Sequence, residues 1–208
     1  MYLLYTSPGT GGFVAQAVLE EASAPYRLVE VDKNSGEHKS ADFLKLNPLG
    51  QVPVLELPDG GKMTETAAMV IHLADRLAPG RLAPELRSPL RPAFLRWLVF
   101  MAVNLYAADL RAYYPGRYTT DPAGAEGVKQ AALRDMDRQL EILDRAIGQS
   151  PFLVGDHFTA ADPYLLMLAH WHPDADSVFG RFDNLARVCD SLRGREAMKA
   201  ANEYHQIW

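Results

Sequence analysis

Residues 43–60 read FLKLNPLGQVPVLELPDG, and the fold is decided there. The stretch enters on a short helix predicted over Ala41 to Leu46. Asn47-Pro48-Leu49-Gly50 then reads as a turn, because proline fixes φ and glycine accepts a positive one. Val54 to Leu57 reads as a strand, and Asp59-Gly60-Gly61 turns the chain into a short fourth strand. Pro53 has no N–H for a ladder, so it belongs at the first residue or the edge of its strand. The residues alone do not fix the isomer of the Val52–Pro53 bond. In the cis form the N–H and C=O of Val52 would face outward, where an extended peptide pairs with them as an added strand.

Upstream, Tyr2 to Tyr5 is a short apolar strand and Ser7 to Gly12 a turn. Helical spacing follows, with Phe13, Ala17, Val18 and Ala22 on one face. Tyr26 to Val31 alternates as a second strand, and Lys33 to Lys39 is a polar loop. Downstream, Ala67, Val70, Ile71, Ala74 and Leu77 form the apolar stripe of a helix over Glu65 to Leu77. The order is β-α-β, a loop, then β-β-α. It implies a parallel strand pair with a right-handed crossover and an antiparallel edge. Composition changes at Pro79, where Pro79, Gly80, Pro84, Pro89 and Pro92 punctuate the chain. Helices are predicted over Pro89 to Tyr113, Ala125 to Gly148, Ala160 to His170, Phe182 to Arg193 and Glu196 to Ala201. The expected organisation is an α/β domain over 1–79, a linker over 80–88 and an all-α domain over 89–208.

Of the 208 residues, 48% are hydrophobic and 23% charged, as in an ordinary globular protein. A net charge of −5 and the lack of a basic tract argue against a nucleic-acid partner. The N-terminus lacks the positive flank and long apolar run of a signal peptide. No stretch is expected to reach the apolar length of a membrane span. The one cysteine, Cys189, cannot form an internal disulfide, which suggests a reducing cytoplasm.

Chemistry is carried at several places. A glycine-rich turn between strand and helix, Ser7-Pro8-Gly9-Thr10-Gly11-Gly12, aims N–H groups at a ligand, and the helix N-terminus favours negative charge. Ser7 and Thr10 offer hydroxyls to an anion, or one of them caps the helix. At Thr64-Glu65-Thr66, Glu65 suits an ammonium while Thr66 and the helix N-terminus suit a carboxylate. The alternative is a Thr64 cap with a first-turn acid. Thr159 and Asp162 form a capping-box pattern, which is structural. His170 and His172 lack a third convergent ligand, so no metal is expected.

Four stretches in order, LLYTSPGTGG, FLKLNPLGQVPVLELPDG, MTETAAMVIHLADRL and FLVGDHFTAADPYLLML, resemble the glutathione transferase superfamily over essentially the whole chain. The resemblance implies a thioredoxin-like N-terminal domain, an all-α C-terminal domain and a homodimer. It places Val52-Pro53 at the family's cis-proline, with Val52 pairing to the cysteinyl backbone of glutathione. Gln51, Glu65 and Thr66 would hold the tripeptide, and His38 or Lys39 would reach its glycyl carboxylate. The beta-class cysteine position holds Gly11, which excludes that chemistry. Alignment on Pro8-Gly9 puts Thr10 at the catalytic hydroxyl of delta-like members, with Ser7 and Tyr5 as the other candidates. Asn104 and Tyr106 depart from the beta-class carboxylate and histidine. With Arg111, Tyr113 and Tyr114 they would line the pocket for a small electrophile. The implied activity is attack of the glutathione thiolate on that electrophile, with glutathione as co-substrate. The alternatives are a glutathione-binding regulatory protein with little turnover, or a glutathione-dependent isomerase or reductase. The serine-rich motif of maleylacetoacetate isomerases is missing.

Overall fold

Strand β1 (Tyr2–Thr6) buries Tyr2, Leu4 and Thr6 on one face, while Leu3 and Tyr5 stay half-covered on the other. Both faces of a central strand are in use, and the computed structural model, which describes residues 1–208, shows how. β1 pairs in parallel with β2 (Tyr26–Glu30) and antiparallel with β3 (Val54–Glu56), which pairs antiparallel with β4 (Lys62–Met63). The four-stranded sheet has the order β2-β1-β3-β4. α1 (Gly12–Glu21) and α3 (Thr66–Leu77) pack against each other. Beneath α2 (Ala41–Leu46), Phe43, Val31 and Val54 make a small core with Tyr5, Leu46 and Val52 against it.

The chain falls into two compact units, 1–88 together with 193–208, and 89–192. The C-terminal residues, expected in the helical domain, belong to the first unit. The reason lies in α10 (Glu196–His205), whose buried residues Met198, Ala201 and His205 go with its packing on α1. Arg195 also makes a two-pronged bond to Glu21, at 2.6 and 2.9 Å. This changes the reading of α1. Instead of one apolar stripe, every residue from Gly12 to Leu19 is buried.

The second unit opens with a continuous helix over Arg91–Tyr113. Its parts are α4 (Arg91–Phe100), a π turn at Met101–Leu105 and α5 (Tyr106–Tyr113). By length and composition this helix could cross a membrane, contrary to expectation. Its core side, Phe94, Leu98, Met101 and Leu105, is fully buried within the fold. α6 (Ala125–Ile147), α7 (Asp162–His170), α8 (Ala175–Arg181) and α9 (Asp183–Arg193) complete the unit. α8 was not anticipated, and the segment predicted from Phe182 starts one residue later as α9. Asp162 is wholly buried. It accepts from the N–H of Leu153 (2.9 Å), the N–H of Thr159 (2.7 Å) and the Thr159 hydroxyl (3.1 Å). The Asp162 half of the expected capping box forms and ties down the preceding loop, but α7 starts at Asp162, its cap position is Ala161, and the Thr159 hydroxyl takes no Asp162 N–H.

Candidate functional site

Register brings the singled-out segments of the first unit to one end of the sheet. Thr6 ends β1 beside Glu30 of β2. Tyr5 stands opposite Val54, and Leu55 opposite Met63. The turn Ser7–Gly12, the loop with His38 and Lys39, the segment Gln51–Pro53 and the residues Thr64–Thr66 therefore all leave the sheet at the same end.

At the first turn the candidate hydroxyls are already engaged. The Thr10 hydroxyl donates to the Ser7 carbonyl at 2.7 Å and lies 3.0 Å from Thr6 Oγ1. The Ser7 hydroxyl donates to the Val31 carbonyl. Neither caps α1, whose cap position is Gly11 with no side-chain bond. They bind the turn to itself and to the end of β2. The N–H groups of Thr10, Gly11 and Gly12 donate to no backbone carbonyl. They leave donors at the start of a ten-residue helix, where negative charge is favoured. Gly12 is required by space, since a Cβ there would fall 1.9 Å from Thr6 Oγ1. The Tyr5 hydroxyl donates to Glu56 at 3.2 Å, and its ring lies with Phe43 and Leu46 on the α2 side. Burial, then the Glu56 charge, raise its pKa.

The second segment is held by Asn47, which the sequence reading passed over as a turn residue. Its amide donates to the Gln51 carbonyl at 2.8 Å, its Oδ1 accepts from Leu49 N–H at 3.1 Å, and its own carbonyl accepts from Gly50 N–H at 2.8 Å. Lys39 Nζ donates to the Leu49 carbonyl at 3.0 Å. Gly50, at φ +60, lets the His38 backbone come close, because a Cβ would meet its carbonyl at 2.7 Å. The Val52–Pro53 bond is cis. Neither the N–H nor the C=O of Val52 has a backbone partner, so an edge for an extended peptide is free.

At the third segment α3 starts at Thr66, not at Glu65, and Thr64 is not its cap. Glu65 occupies the cap position at φ +65 and ψ 102, with no side-chain bond to the helix. A non-glycine residue held at positive φ costs on the order of 1–3 kcal/mol, which the surrounding structure must offset. The Glu65 side chain is exposed, and Thr66 is buried in the first turn of the helix.

In the second unit, the π turn holds Asn104, whose amide donates to the Phe100 carbonyl at 3.2 Å. Tyr106 packs on Trp171 with ring centroids 5.2 Å apart, and the Tyr113 hydroxyl donates to the Trp171 carbonyl at 3.0 Å. Arg111 and Tyr114 turn elsewhere, to Asp135 at 3.7 Å and to Arg117 at 4.0 Å. Asp109 was missed. It lies on the face of Tyr106 and Tyr113 by helical spacing and is 5% exposed. Its Oδ1 has no hydrogen-bond partner, and burial pushes its carboxyl up to about 7. The signal available was a lone acid three residues after Tyr106 and four before Tyr113. No group of three or more His, Cys, Asp or Glu side chains is arranged to hold a metal.

The family description of the glutathione S-transferase N-terminal domain matches residues 2–75, and that of the C-terminal domain matches residues 104–196. An uncharacterized GST-like protein of Escherichia coli, YncG, is 31% identical over 193 residues, covering 92% of each chain. The chain belongs to the glutathione S-transferase family. A disulfide-bond oxidoreductase of Escherichia coli, YfcG, is 27% identical over 76% of this chain and 74% of its own. Among solved structures, a glutathione transferase homologue from Sulfitobacter with bound glutathione superimposes with a TM-score of 0.88 at 25% identity, covering 98% and 97% of the two chains.

Proposed function

We propose that this transferase-family chain binds glutathione at the shared end of the sheet and activates its thiol for attack on a small electrophile. One observation carries the reading: the register brings four candidate recognition elements to one end of the sheet. The unpaired backbone of Val52 suits the cysteinyl strand of the tripeptide. Glu65 and the start of α3 suit the ammonium and carboxylate of the γ-glutamyl end, and Gln51 would help hold the tripeptide. His38 and Lys39, on the loop that follows β2, suit the glycyl carboxylate. The free N–H groups at the start of α1 suit a thiolate.

A free thiol has a pKa of about 8.5 and is only a few per cent ionised at neutral pH. Donors aimed at the anion lower that value. The Thr10 hydroxyl adds to them by turning from the Ser7 carbonyl to the sulfur. The sulfur then forms a bond to the electrophile carbon, and the leaving group or the adduct takes up the charge. The helical unit would supply the groups that hold the electrophile, with Asn104, Tyr106, Arg111, Tyr113 and Tyr114 as candidates. The setting proposed is a reducing cytoplasm.

Calorimetry on Glu65→Ala/Thr66→Ala tests the binding half. Loss of charged bonds should weaken glutathione by roughly 3 kcal/mol, about a hundredfold; unchanged affinity would remove the assignment. A conjugation assay with a general electrophile tests the catalytic half. Similarity to a disulfide-bond oxidoreductase favours a second reading, glutathione-dependent disulfide reduction. Activity on a mixed disulfide without conjugation would select it.

A further inference from the structure

The glutathione-binding half is not built from the N-terminal residues alone. The end of α10 lies against the turn Ser7–Gly12. The N–H of Gly9, a residue at φ +65, donates to the carbonyl of His205 at 2.9 Å. That carbonyl belongs to the last turn of α10, one of the groups a helix leaves without an internal partner. The His205 ring is 1% exposed and meets Phe13 edge to face at 6.0 Å. Its Cε1 would lie 3.2 Å from a Cβ on Gly12. Neither ring nitrogen has a hydrogen-bond partner. A buried imidazole without partners at the start of α1 is there through shape, since its polar atoms gain nothing.

The residues after the helix are fixed as well. Gln206 takes φ +52 and reverses the chain. Asn202 then accepts from the N–H of Ile207 at 2.6 Å and of Trp208 at 3.3 Å, and donates to the Trp208 carbonyl at 2.9 Å. Trp208 is thereby set edge to face on Phe13 at 5.6 Å. Phe13 stands next to the free N–H groups of Thr10, Gly11 and Gly12.

We propose that His205, with the segment Asn202–Trp208 that carries it, is a positioning element for the thiol-activating turn. Its carbonyl takes the Gly9 N–H, and its ring backs Gly12 and Phe13. The turn that carries the three following N–H groups is thereby held in one arrangement. The inference rests on the functional reading above, since the turn must receive the sulfur for its geometry to matter.

Ultraviolet titration of the bound glutathione thiol, alongside calorimetry for affinity, tests it on the full chain. Asn202→Ala and His205→Ala should each raise the thiol pKa by about one, leaving roughly tenfold less thiolate at neutral pH. Glutathione affinity should change less than about threefold, because Val52, Glu65 and Thr66 hold the tripeptide elsewhere. His205→Phe keeps a flat aromatic ring against Phe13, and should stay closer to the wild-type value than His205→Ala. If His205→Ala does not fold, Asn202→Ala and Trp208→Ala carry the same comparison from beyond the buried ring. Folded variants with an unchanged thiol pKa would overturn the inference while the function stands. Wild-type protein that binds no glutathione would remove the function, and this inference with it.

Discussion

Thr10 shows how much a single hydroxyl can be asked to do. In the structure it donates to the Ser7 carbonyl, so a bond to sulfur must replace a bond of about 1 kcal/mol with a charged one of about 1.5–3 kcal/mol. The net gain is about 1 kcal/mol. Thr10→Ala should therefore slow conjugation roughly fivefold at neutral pH and raise the thiol pKa. Thr10→Ser should keep most of the rate and Thr10→Val should not. Ultraviolet titration checks this, and an unchanged thiol pKa in Thr10→Ala would leave the task to the backbone N–H groups alone. Asp109 gives a second prediction, on stability. Its carboxyl, raised to about 7 by burial, holds its proton in the folded state at pH values where the unfolded chain has lost it. The stability this confers is complete below the unfolded pKa near 4 and is lost as pH rises through 7. Asp109→Asn should thus raise the melting temperature at pH 8, by on the order of 5 °C, and change it little at pH 4. An equal effect at both pH values would contradict the raised pKa. Both residues also mark what sequence could tell. Thr10 was legible as a turn hydroxyl after Pro8-Gly9, but its commitment to Ser7 was not, because that bond depends on the turn closing. Asp109 showed in the sequence only as a lone acid on the face of Tyr106 and Tyr113; its raised pKa comes from burial, which helical spacing does not measure.

Elements were legible where one periodicity governed them. α2 and the long helix α6 follow from spacing and punctuation, and the pairing of Asp162 with Thr159 before α7 follows from their spacing. α1 was half-read: its apolar positions announced a helix, but not the second helix that would cover its other side. α10 runs four residues past its predicted end because packing on α1 sustains it to His205. α8 has few residues and no long stripe, and its start is set by Asp174 accepting from the N–H of Ser177 at 3.2 Å. Asp162 offers the clearest test at this scale. Truncation to alanine would remove a buried carboxylate and leave the N–H groups of Leu153 and Thr159 without their acceptor. The cost should be about 3–5 kcal/mol, a fall in melting temperature on the order of 10 °C. Asp162→Asn keeps part of the acceptor set and should lose less. Thermal unfolding followed by circular dichroism decides. A fall under about 2 °C for Asp162→Ala would mean that the loop before α7 finds other partners.

At the scale of the molecule, the open question is what covers the outer side of the helix Arg91–Tyr113. Its most apolar window is only 39% buried. Phe94, Leu98, Met101 and Leu105 account for the core side, whereas Val99 and Val103, one turn apart on another side, are 52% and 62% exposed. Branched apolar side chains facing water in register along a helix gain from a partner by about 25 cal/mol per Å² covered. Arg96 lies over the Trp97 ring at 4.1 Å, at one end of that exposed row. A second copy of the chain meets the requirement without any new sequence feature, through an isologous contact in which the same patch serves both subunits. Because each residue then enters the interface twice, one substitution acts twice. A carboxylate at Val103 would stand close to its own symmetry mate, desolvated and facing a like charge, between chains that each carry a net charge of −5. The expected result is a homodimer at micromolar concentration in sedimentation velocity. Val103→Glu should shift it to monomer with an unchanged circular dichroism spectrum, while Leu86→Glu, at an exposed position outside this helix, should leave the dimer intact. A wild-type monomer at micromolar concentration would sink the idea, and a dimer indifferent to both Val99→Glu and Val103→Glu would move the interface to another face.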